Sequence, residues 1–203
     1  MGNFITVFIE VVYSVLQHPA EMPAFIKKIP GLQRQVMTAL SLASLSSAAG
    51  SYYLRTHYAS NFWFVLIILF IIHLALFLFW GLLFGSLTDA VVRLKYPDRS
   101  GQVWQMIAIA VFSCLPFMFA LPLALIVRLA ALNMSMEPFV LMTPCLFAIL
   151  LWSAYITLAG LQYLYELTMR DAILTFLKAA AIAFLFPTLA VLFIFLELTQ
   201  IFS

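Results

Sequence analysis

The chain has 203 residues, of which 66% are hydrophobic and 9% charged, with a mean hydropathy of +1.11 and a net charge of +2. A soluble domain of this size exposes too large a share of its surface to hide so much apolar area, so the solvent for most of the chain is a lipid bilayer. The balance of 10 basic against 8 acidic residues excludes a nucleic-acid footprint, and Cys114 and Cys145, set in apolar stretches without a CxxC or Cys/His cluster, read as small apolar residues and not as metal ligands.

The chain opens with MGNFIT, which fits the short N-myristoylation pattern. It lacks the basic region, apolar core and small-residue cleavage site of a signal peptide. Residues 3–17 are apolar apart from Glu10. They are too few to span, since crossing about 30 Å takes about twenty helical residues. This predicts an amphipathic helix lying in the membrane interface. His18-Pro19 ends it, because a residue before proline avoids the α region. The following HPAEMPAFIKKIPGLQRQ carries Lys27, Lys28 and Arg34. It reads as a basic juxtamembrane segment that sets topology or faces anionic headgroups. Residues 1–34 are thus expected to form a cytoplasmic and interfacial segment ahead of a transmembrane domain at 35–203.

Five spans are expected in that domain, an all-α polytopic bundle. The first, 35–54 (QVMTALSLASLSSAAGSYYL), is rich in Ala, Ser and Gly, which lets helix backbones approach closely in lipid, so it is expected to be buried among the others. Tyr52, Tyr53, Tyr58 and Trp63 then form an aromatic belt. The second, 62–87, has Phe and Leu on nearly every face and reads as lipid-facing. The loop LTDAVVRLKYPDRSGQ returns to water. The third, 103–127, holds Pro116 and Pro122, which remove backbone donors and kink a helix. Arg128 closes it. The fourth, 139–163, has Pro144 near its start. The fifth, 172–196, holds Pro187, with Lys178 placed to snorkel.

With the N-terminus in the cytoplasm, the inner segments hold Lys27, Lys28, Arg34, Arg93, Lys95, Arg99, Arg170 and Lys178, and the outer ones hold Arg55 and Arg128. That bias predicts N-in, C-out.

Three stretches resemble the Yip1-domain family of membrane proteins and its small bacterial members. AVFSCLPFMFALPLAL (110–125) is similar to the family's Leu-Pro segment in the third span. LLWSAYITLAGLQYLYELTMRDAIL (150–174) is similar to its Trp-x-x-Tyr…Gly-Leu run joining the fourth and fifth spans. VLQHPAEMPAFIKKIPGLQRQV (15–36) is similar to its opening His/Asn-Pro segment. The resemblance implies a compact five-helix bundle in a bacterial inner membrane. Eukaryotic members bind Rab-type GTPases through a longer cytosolic region than the 34 residues found here. The family positions Pro19, Pro116, Trp152, Tyr155, Gly160, Leu161, Arg170 and Ala172 are implied to serve packing and loop geometry.

Few residues carry chemistry. His73 lies near the middle of the second span, and an ionisable group at that depth is a functional candidate. It could bind a haem or chlorin, relay a proton, or hydrogen-bond a neighbouring helix. Glu166 and Arg170 are four apart and are expected to pair on one helix. With Asp171 on the same side, and with Asp89, Arg93, Asp98 and Arg99 in the other inner loop, they would form an ion-pair cluster or a docking site. Broken helices at Pro116, Pro122, Pro144 and Pro187 could build a transport site, although no inverted repeat or buried acid is evident. No nucleophile–base pair, HExxH, phosphate-binding Gly loop or paired intramembrane carboxylate is present. The chain therefore reads as a non-enzyme without a cofactor. It is expected to bind the bilayer and other membrane proteins as a scaffold, assembly factor or accessory subunit. A small transporter, and a cofactor-carrying electron-transfer subunit using His73, are the alternatives.

Overall fold

The computed structural model describes residues 4–26, 28–29, 31–55, 61–99 and 103–202, with the backbone alone for 186–202. Among the described residues eight α-helices follow one another: α1 (Phe4–Gln17), α2 (Met22–Ile26), α3 (Leu32–Tyr53), α4 (Phe62–Lys95), α5 (Val103–Phe112), α6 (Ala120–Met134), α7 (Pro138–Tyr165) and α8 (Met169–Phe202). Two 3-10 turns, Pro97–Arg99 and Leu115–Phe119, link α4 to α5 and α5 to α6. Among the described residues, three helical paths are long and apolar enough to cross a membrane: α4, the broken path α5–turn–α6, and α7. The protein is helical and membrane-embedded by that measure.

Burial runs opposite to hydrophobicity. α3 is the helix of small residues, and ten of its 22 residues are buried. No residue of α4 from Phe62 to Trp80 is buried, although this is the most apolar stretch of the chain. Lipid is as apolar as Phe or Leu, so large side chains gain little by leaving it. Close backbone packing does gain, and small residues permit it. α3 accordingly packs against α4, α5, the Leu115–Phe119 turn and α6. α4 joins the bundle at Gly81 and Gly85, where an added Cβ would lie 2.5 Å from Val111 Cγ2 and 2.8 Å from Ile107 Cα of α5. Gly160 of α7 meets Ile109 of α5 in the same way.

Several boundaries differ from the sequence expectation. LTDAVVRLK does not leave the helix: α4 continues to Lys95, with Thr88, Asp89 and Val92 buried. Thr88 returns its hydroxyl to the Phe84 carbonyl at 2.7 Å, so that hydroxyl is satisfied inside the helix. Arg128 does not close α6, which runs on to Met134. The Arg128 guanidinium turns back to the Tyr53 and Arg55 carbonyls and covers the end of α3. The segment after His18 is more than a headgroup-facing loop. Met22, Ile26 and Ile29 are buried in the main hydrophobic cluster with Val11, Val15, Met106, Ile156 and Leu164. α1 and α2 thus pack on the bundle, and Arg34 lies over the Phe4 ring at 4.3 Å. Lys27, Pro30 and Tyr58 lie outside the described residues.

The prolines act unequally. Pro116 and Pro122 flank a true break, whereas α7 continues through Pro144 and the α8 backbone through Pro187.

Candidate functional site

Two places concentrate polar chemistry. The first is the end of the bundle where α4, the Pro97–Arg99 turn, α7 and α8 meet. Asp89, one turn and a half before the end of α4, is 1% exposed. Its carboxylate accepts from Tyr165 Oη at 2.7 Å and from Arg93 Nε at 2.7 Å. The sequence reading held no buried acid, so Asp89 is a correction. Its position beyond the expected span end hid it, and its partner Tyr165 is 76 residues away. A buried carboxylate persists only with such partners.

The expected Glu166–Arg170 pair is not among the ion pairs of the described residues, which here are Arg93–Asp89 and Lys95–Asp171. The cause is local. Glu166 has φ 51° and ends α7 in the left-handed region. Leu167 N–H then bonds the Gln162 carbonyl at 3.1 Å, closing a Schellman-type cap, so Glu166 and Arg170 do not share a helix. Arg99 donates to the Tyr165 and Glu166 carbonyls at 3.2 and 2.6 Å, satisfying the groups that α7 leaves open. α8 begins on a reciprocal cap: Thr168 Oγ1 donates to Asp171 Oδ2 at 2.9 Å and accepts from Asp171 N–H at 3.2 Å. Asp171 also accepts from Lys95 Nζ at 2.6 Å. The Lys95 ammonium, then the Thr168 hydroxyl, hold its carboxyl down to about 2. Asp98, Arg99, Glu166 and Arg170 remain exposed on this surface.

The second place is the break in the α5–α6 path. Pro122 has no N–H for the Met118 carbonyl four residues before it. Ser46 of α3 donates its hydroxyl to that carbonyl at 2.7 Å and accepts from Leu121 N–H at 3.1 Å. Ser113 Oγ likewise covers the Ala110 carbonyl at 2.7 Å. Gly50 lets α3 lie against the break, since a Cβ there would stand 2.9 Å from the Ala120 oxygen. Pro116 is buried in the turn and Pro122 faces outward.

His73 sits beside this seam, half-buried. Its Nδ1 lies 2.8 Å from the Leu69 carbonyl, which only accepts, so Nδ1 carries a proton. Nε2 lies 3.4 Å from Ser51 Oγ of α3. The geometry therefore contains the bond to a neighbouring helix that the sequence reading weighed. Of the remaining singled-out residues, Trp152 stacks on Phe119 at 5.9 Å, Pro19, Leu161 and Ala172 are buried, and Tyr155 is exposed. Cys114 is buried and Cys145 half-buried. No group of three His, Cys, Asp or Glu side chains among the described residues is arranged to hold a metal ion. Sequence reasoning named Asp89 only as part of an inner-loop charge cluster and missed its burial, and it missed Tyr165 and Ser46 as polar anchors. The SLASLSSAAGS run was the available signal, because hydroxyls on a small-residue helix can replace donors that a proline-broken neighbour lacks.

No protein family, characterised protein or solved structure gives a significant match to this chain.

Proposed function

We propose that this chain is a five-span integral membrane protein, Yip1-like in its plan, that acts by binding other membrane components as a scaffold, assembly factor or accessory subunit. One observation carries this reading. Four chain segments are tied into one ordered polar surface by Asp89–Tyr165, Lys95–Asp171 and the Arg99 bonds, and this surface presents exposed Asp98, Glu166 and Arg170. An ordered charged face at the mouth of a membrane bundle suits recognition of a partner by complementary charge. In this reading α3 and α8 join the three long apolar paths as spans, α1 lies at the interface, and the charged surface faces the cytoplasm of a bacterial inner membrane with the C-terminus outside. The basic residues on the inner segments support that orientation.

Extraction of the tagged full-length protein in mild detergent, followed by intact-complex mass measurement, tests the proposal. Stoichiometric protein partners should accompany the parent, and the double variant Arg170→Glu, Asp98→Lys should lose them while staying monodisperse. A parent that runs alone would reject the reading. A reporter fused after Ser203 should be active outside the cytoplasm.

A transporter is the second reading, favoured by the broken α5–α6 path beside a cavity. Solute flux in proteoliposomes that is lost on changing Pro116 and Pro122 would support it, and a flat response across a broad solute panel would remove it.

A further inference from the structure

We propose that the cleft between α3, α4, the Leu115–Phe119 turn and α7 is a binding site for an uncharged amphiphile that enters from the bilayer, with its oxygen head held by Ser47, Ser51 and His73. The proposal does not depend on the partner-binding reading.

The cleft has a volume of about 270 Å³ and is lined by Ser47, Ser51, His73, Phe117, Met142 and Leu146 among others. Its wall is mostly apolar with a few convergent polar atoms, the make-up of a small-molecule site. Ser47 carries the argument. It is 5% exposed, and its Oγ is buried with no hydrogen-bond partner among the described residues. Three residues earlier on the same helix, Ser44 folds its hydroxyl back on the Leu40 carbonyl at 2.7 Å. One residue earlier, Ser46 bridges the α5–α6 break. Ser47 does neither, and a buried hydroxyl without a partner is costly in a helix that could have carried alanine there. Ser51 is one turn further on, so the two hydroxyls stack along one face of α3. The long 3.4 Å approach of Ser51 to His73 Nε2 leaves room for a ligand oxygen to take a better bond with either.

The lining fixes the class of ligand. It contains no Asp, Glu, Lys or Arg, so a charged head would be buried without a counter-charge. A hydroxyl head suits this set, because the two serine hydroxyls both donate and accept and His73 Nε2, with the proton on Nδ1, accepts. The apolar tail would lie along Phe117, Met142 and Leu146 toward Phe139, which is 64% exposed at the rim.

The test uses the full-length protein in nanodiscs of phosphatidylcholine and a photoreactive long-chain alcohol, with its methyl ether as the control. Labelling by the alcohol should saturate and map to α7 between Phe139 and Leu146. Ser47→Ala should weaken it on the order of fivefold, the loss expected for one hydrogen bond. Because Ser47 Oγ has no hydrogen-bond partner among the described residues, the same variant should unfold at the parent temperature or higher when no ligand is added. Competition by dioleoylglycerol assigns a two-chain bilayer lipid as the occupant, and competition by the single-chain alcohol alone assigns a one-chain ligand. Both uphold the proposal. Labelling of the parent by the methyl ether as strong as by the alcohol, labelling by the alcohol that is equal in the parent and in Ser47→Ala, or labelling spread over Ile67, Ile71 and Phe79 on the open face of α4, would overturn it.

Discussion

α3 and the first half of α4 lie side by side and invert the usual relation between apolarity and burial. α3 has Ala, Ser and Gly and is enclosed by four neighbours. α4 from Phe62 to Trp80 carries the largest apolar side chains and buries none. In water the second helix would be the core. In lipid the first one is, because what distinguishes inside from outside is backbone proximity and hydrogen bonding more than transfer of apolar area. A substitution should therefore matter according to what it does to the approach of backbones, and only weakly according to how much hydrophobic surface it removes.

The largest expected effect is at Gly50. A Cβ there meets the Ala120 backbone oxygen at 2.9 Å, so Gly50→Val must push α3 off the break. A loss of about 3 kcal/mol, seen as a sharply lowered unfolding temperature in detergent, is expected from overpacking a contact made by backbone. Next comes Ser46→Ala, which leaves the Met118 carbonyl and Leu121 N–H without their shared partner, at about 1–3 kcal/mol. The neighbouring Ser47→Ala makes the sharper contrast, since that hydroxyl has no bond among the described residues. If both serines proved equal, the repair role of Ser46 would be wrong. Ile71→Ala, on the open face of α4, removes more carbon than either, yet should cost under about 0.5 kcal/mol. A loss of several kcal/mol there would show that α4 is packed against something.

The smallest effect belongs to the charged end. Asp171 is held down to about 2, by Lys95 first and Thr168 second. A folded-state value below the unfolded one, about 3.9, gives a contribution that is complete above about pH 4 and fades as pH falls toward 2. Asp171→Asn should thus unfold slightly below the parent at pH 6, and the two curves should converge near pH 2. Both partners are partly exposed, which keeps the gap small.

Composition and residue size were enough to read helices fit for a membrane, the burial of the 35–54 segment and the openness of 62–80 from the sequence, whereas the rest of the expected lipid-facing span, at Gly81, Phe84 and Gly85, is buried. The expected fourth span, 139–163, falls within α7 (Pro138–Tyr165). The proline break could be placed, because Pro116 and Pro122 are six apart in one apolar run, but its repair could not. Which carbonyl Ser46 reaches depends on how α3 lies across the Leu115–Phe119 turn, 72 residues away. Asp89 was read as loop because its solvation looked local, whereas its partner Tyr165 arrives from another helix. Glu166 was assigned to a helix by spacing alone. Nothing in the sequence marks it as a left-handed cap, a position where glycine is the common residue.

The Ser46 bridge also bears on how the molecule is made. A chain leaving the ribosome delivers residue 46 well before residue 118, so the donor is in place when the acceptor arrives. Until α3 is at hand, the α5–α6 path would meet hydrocarbon with an open carbonyl, and its release from the insertion machinery is disfavoured. α3 is itself too polar to partition strongly, and its tether to the greasy start of α4 holds it in the membrane. The long apolar α4 is thus joined to the small-residue α3, and α3 in turn brings the hydroxyl that the broken path uses.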